Sequence, residues 1–145
     1  MSCYVSFFLG DFTKEDQDNF NWDKAPCLLS VSIRNDIGKC IDKFEYDKAT
    51  IVTKEVIKQI IIDLDAMIRE RKDSIRELNE LKDSILKNMP IKGDDYIDAK
   101  ERISELNAEM EELDEEINYI IRNQGVLDSI EDLIISNFSI TALVG

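Results

Sequence analysis

Residues 103–120 read ISELNAEMEELDEEINYI. The stretch carries seven carboxylates (Glu105, Glu109, Glu111, Glu112, Asp114, Glu115 and Glu116) and no basic residue. Carboxylates three or four positions apart share one side of a helix. Such a set has two chemical uses. It can hold a divalent cation for phosphate chemistry, or it can present a row of negative charge to a basic surface. The plain alternative is a solvated helix face. The elements on either side decide which way the acids turn.

Those elements are two runs of heptad-spaced apolar residues. Residues 54–89 contain no Gly and no Pro. Their apolar positions are Ile57, Ile61, Leu64, Ile68, Ile75, Leu78, Ile85 and Met89, in alternating steps of four and three. Thr53 stands where a helix N-cap is wanted, with Glu55 in the first turn. Residues 96–124 repeat the pattern at Tyr96, Ala99, Ile103, Leu106, Met110, Leu113, Ile117 and Ile120. Between the runs, Pro90 stops one helix, Gly93 turns the chain, and Asp94 or Asp95 caps the next. So short a connection predicts an antiparallel coiled-coil helical hairpin, about 54–89 and 95–124.

With Ile103, Met110 and Ile117 at a, and Leu106, Leu113 and Ile120 at d, all seven acids fall outside the seam. That is the pattern of a coiled-coil exterior. Arg71 and Lys82 do occupy seam positions. Glu109, Glu112 or Glu116 lies within reach of Arg71, which is expected to pin the register; the plain alternative is that it snorkels out of a tolerant site. The expected partner-binding residues are Glu105, Glu109, Glu112 and Glu116 on the acidic side. Leu81, Leu86 and Met89 join them near the tip, where Ile91 adds to the apolar surface.

The first 52 residues differ in character. They hold eight of the eleven aromatics. CYVSFFL and CLLSVSI read as strands, ATIV as a further strand, and NDIGKCIDKF as a short helix or turn. Gly125 is expected to end the second long helix. VLDSIEDLIIS then reads as a short third helix, with Val126, Ile130, Leu133 and Ile134 on one face. NFSITALVG leans to β and returns to the N-terminal region. Wide apolar surface on residues 56–68 places this head around 56–68 and 113–124, with a stalk over roughly 69–112. The expected fold is α+β, mostly α, as a single domain: a β-containing head (1–52), the hairpin (53–124) and a helix with an apolar tail (125–145). Phe7, Phe12, Trp22 and Tyr46 are candidates for stacking on a small nucleotide; plain core aromatics are the alternative.

Charge and composition narrow the function. Net charge is −13, and residues 91–145 carry fourteen acids against four bases. Such a chain repels nucleic-acid phosphates and anionic membranes, so direct nucleic-acid binding is not expected and a partner with a basic surface is. No apolar run reaches membrane-span length. Cys3, Cys27 and Cys40 are odd in number and unpaired in spacing, as in a reducing cytoplasm. There is no histidine, which removes the usual catalytic base and metal ligand. No phosphate-binding loop or nucleophile elbow occurs. Helical nucleotide pyrophosphohydrolases hold Mg²⁺ with two ExxE-like pairs; here Glu109, Glu112 and Glu116 share a face, with Asp128 and Glu131 beyond, but the seam turns them outward. The expectation is therefore a non-catalytic interaction or inhibitor protein without cofactor or metal, self-associating, in the cytoplasm of a bacterial or phage-infected cell. A composition rich in Ile, Lys, Asp and Asn suits an AT-rich bacterium or its phage. The alternative is a phage-type anti-defence protein, either an acidic nucleic-acid mimic or a sponge that binds a small nucleotide in the aromatic head.

Overall fold

A computed structural model describes residues 4–11, 27–34 and 43–145. Phe12, Trp22, Cys3, Cys40 and the segment 35–42 lie outside them. Among the described residues the elements are β1 (Tyr4–Leu9), β2 (Cys27–Arg34), β3 (Ala49–Ile51), α1 (Lys54–Lys87), α2 (Asp94–Ile135) and β4 (Ile140–Val144). The chain is mostly helical: two long helices pack against each other, and the strands form one small antiparallel sheet.

The strand order is β2-β1-β4-β3. The last strand thus lies between the first and third, with Phe7 opposite Ala142 and Thr50 opposite the same residue from the other side. A strand paired on both edges and packed on its faces needs small or β-branched apolar residues. β4 supplies them: Ile140, Thr141, Ala142 and Val144 are fully buried. The buried Thr141 hydroxyl is satisfied, donating to the Gly10 carbonyl at 2.6 Å. Gly10 has φ +121°, a conformation that side chains resist, and its amide donates to the Ser139 carbonyl at 2.8 Å. The pair of bonds ties the exit of β1 to the entry of β4.

α1 starts as its sequence requires. The Val56 amide donates to Thr53 Oγ1 at 3.3 Å, the N-cap bond, and Glu55 occupies the first turn. It ends three residues before Pro90, with Lys87 in its last turn. Gly93 at φ +86° reverses the chain, and Asp94 and Asp95 open α2 where the dipole favours acids.

Gly125 does not end the second helix, and the expected separate third helix does not exist. α2 runs unbroken from Asp94 to Ile135. Gly125 is not among the residues with positive φ, which a glycine stop would require. A glycine inside a helix costs about 1 kcal/mol relative to alanine. Burial of Leu127 and Ile130 on the same face contributes about 1.5–3 kcal/mol each and outweighs that cost. The buried row Ile120, Asn123, Leu127 and Ile130 carries straight past the glycine in steps of three and four. The real stop is at Asn137, in the left-handed conformation at φ +68°. There the Phe138 amide bonds the Leu133 carbonyl and the Asn137 amide bonds the Ile134 carbonyl, both at 3.0 Å, a Schellman cap.

Two compact units divide the chain: residues 1–66 with 120–145, and residues 67–119. The first contains the sheet. Its core includes Val5, Phe7, Phe44, Ile57, Ile60, Leu64, Ile120, Leu127, Ile130 and the buried face of β4. The Phe7 and Phe44 rings meet edge to face, centroids 6.0 Å apart. Within this unit Gln124 Nε2 donates to Asp65 Oδ1 at 2.6 Å, linking the two helices. The second unit holds helix on helix. Its buried residues are Met67, Ile68, Leu106 and Ile117. Ile75, Leu78, Ile85, Ile103, Met110 and Leu113 are only half-buried, since two helices alone cannot close over every apolar side chain. Among the described residues no helix is long and apolar enough to cross a membrane.

Candidate acidic interaction face

The acidic face belongs to the second unit and is built on α2. Glu105, Glu109, Glu111, Glu112, Asp114 and Glu115 are exposed, and Glu116 is half-buried. The burial of Leu106 and Ile117 turns them outward: once those two residues point inward, the helical period leaves the acids no other direction. Glu109, Glu112, Leu113 and Glu116 stand at i, i+3, i+4 and i+7. Together they line a shallow hollow of about 250 Å³. Its lining is one leucine and three carboxylates.

Among the described residues, one of these carboxylates has a cation across the helix pair. Arg71 Nε on α1 donates to Glu116 Oε2 at 2.7 Å, and Arg71 Nη1 donates to the Met67 carbonyl at 3.3 Å. The side chains are 18% and 34% exposed, so the pair is partly shielded from water. Glu105 pairs within its own helix with Arg102 at 3.1 Å. Glu109 and Glu112 have no ion-pair partner among the described residues. Like charges at helical neighbour spacing cost a few tenths of a kcal/mol each. Glu109, Glu112 and Glu116 therefore hold a repulsion that an incoming cation would relieve.

The other expected site residues scatter. Lys82 is half-buried and has no ion-pair partner among the described residues. Leu81 and Leu86 are about half exposed, and Met89 is half-buried. Phe7 is fully buried against Phe44, with no ring face open to a base, while Tyr46 is 65% exposed. Among the described residues no group of three or more His, Cys, Asp or Glu side chains stands where it could hold a metal ion. Asp128 and Glu131 follow on the same helix, but in the first unit.

Comparison with family models, with curated proteins and with solved structures found no match.

Two features escaped the reading of the sequence. The Asp65–Gln124 bond was signalled by Gln124 itself, the one polar residue at a seam position of the second ladder. Leu113 was read only as a seam residue, yet it also lines the acidic hollow. Nothing in a heptad pattern distinguishes a seam leucine that is covered from one that is half open.

Proposed function

We propose that this is a non-catalytic interaction protein whose coiled-coil hairpin presents the Glu109–Glu112–Glu116 row to a basic surface on another protein, in the cytoplasm. The observation that carries the reading is the hollow itself. Two carboxylates without an ion-pair partner among the described residues, and a third held by Arg71, surround a half-open leucine. A lysine or arginine side chain fits that chemistry: its aliphatic stem lies on Leu113 and its charged head meets Glu109 and Glu112. A solubilising face needs acids but no apolar contact beside them. In this reading Arg71 and Lys82 set the register of the hairpin, so that the acidic row keeps one spacing. The lack of histidine along the whole chain supports binding over catalysis.

The test is affinity capture from a bacterial host lysate with the wild-type chain and with Glu105→Gln/Glu109→Gln/Glu112→Gln, at low and at raised salt. A partner held by the wild type, lost with the triple variant and weakened by salt supports the reading. Equal capture by both proteins at both salt concentrations refutes the acidic face as the site.

A further inference from the structure

We infer that the turn joining the two helices is a docking surface for a second copy of this chain, through a twofold contact centred on Ile91. Turns are normally polar, yet Ile91 is 94% exposed at the tip. Leu86 at 48% and Ile97 at 53% lie within one or two turns of it on either helix. Hydrogen bonds close the two helix ends that flank the turn. The Asn88 amide bonds the Ser84 carbonyl, the Met89 amide bonds the Leu86 carbonyl, and the Ile97 amide bonds the Gly93 carbonyl.

Charge identifies the occupant. Along the chain Lys87 and Lys92 precede Gly93, and Asp94, Asp95 and Asp98 follow it, all exposed. None of the five has an ion-pair partner among the described residues. A basic or acidic partner would meet repulsion from one of the two sets. A twofold-related copy meets none: its Lys92 faces Asp94 or Asp95, and the reverse pair forms at the same time, around two opposed Ile91 side chains. The patch is small beside the roughly 800 Å² per partner of a stable interface. The contact is therefore weak and concentration-dependent. It uses other residues than the acidic hollow and does not rest on it.

Sedimentation equilibrium of the full chain from ~10 to ~500 μM tests it, a range chosen for the weak contacts that small interfaces make. The wild type should show a reversible monomer–dimer equilibrium. Ile91→Glu removes both central side chains from the dimer, and its dissociation constant should rise on the order of a hundredfold. Because Ile91 is exposed, the variant's circular dichroism should match that of the wild type. Lys92→Glu and Asp95→Lys should each weaken the dimer, and the double variant should recover it. Glu109→Gln/Glu112→Gln should leave it unchanged. A wild type that stays monomeric throughout, or a dimer indifferent to Ile91→Glu, overturns the inference.

Discussion

Arg71 sits where a heptad wants an aliphatic residue, and replacing it tests what the charge contributes. Its side chain is 18% exposed and that of its partner Glu116 34% exposed, with Nε and Oε2 at 2.7 Å. A fully exposed pair contributes about 0.5 kcal/mol, and a hydrogen bond to a charged group about 1.5–3. Partial exposure of Glu116 screens the pair, so about 1 kcal/mol is the expected coupling. Arg71→Leu loses that coupling and the bond to the Met67 carbonyl, but it places a leucine at a shielded position worth about 1.5–2 kcal/mol of burial. Glu116, left behind, can still reach water. Arg71→Leu should thus be as stable as the wild type, or more stable by up to about 1 kcal/mol. Glu116→Gln should cost about 0.5 kcal/mol, because a neutral bond to Arg71 survives. Urea denaturation followed by far-UV circular dichroism on the four proteins of the Arg71→Leu/Glu116→Gln cycle measures the coupling directly. Raising salt to ~1 M should reduce it without abolishing it, as expected of a half-shielded pair. A loss above about 2 kcal/mol for Arg71→Leu would refute the view that the seam accepts a charge at some expense of stability. So would a coupling indistinguishable from zero.

Three further expectations use the same denaturation assay. Gly125→Ala should stabilise the chain by about 0.5–1 kcal/mol, since the position is helical, has no positive φ, and an added Cβ meets nothing within 4 Å; destabilisation would mean that the helix breaks there after all. Leu106→Ala should cost about 2–3 kcal/mol, the low end for a buried leucine, because half-buried neighbours such as Ile103 and Met110 can move into the space; a cost under about 1 kcal/mol would show that the two helices do not close over it. Glu112→Gln should stabilise by about 0.2–0.5 kcal/mol at low salt, with the gain gone at high salt, since it relieves repulsion from Glu109 and Glu116; a gain unaffected by salt would remove the electrostatic explanation.

The strands and the helical periods were legible because their signals act within a few residues. Apolar steps of three and four mark the helical face, Thr53 marks a start, and Pro90 with Gly93 marks a reversal. The outward turn of Glu105, Glu109 and Glu112 follows from that period alone. Gly125 was misread for the same reason: as a local sign it favours a stop, and only burial of Leu127 and Ile130 overrides it. The aromatic head was less legible, because Phe7 looks the same in sequence whether its ring lies open or packs edge-on against Phe44.

Residue types and their spacing thus determined by themselves that two long helices reverse at residues 88–93 and keep their acids in water. Tertiary structure alone decided that Arg71 takes Glu116 rather than Glu109 or Glu112, and that β4 enters the sheet between β1 and β3. Capping and helical period are energies between near neighbours in the chain. Pair choice and strand order depend on groups tens to more than a hundred residues apart, whose meeting is settled only when the whole core closes.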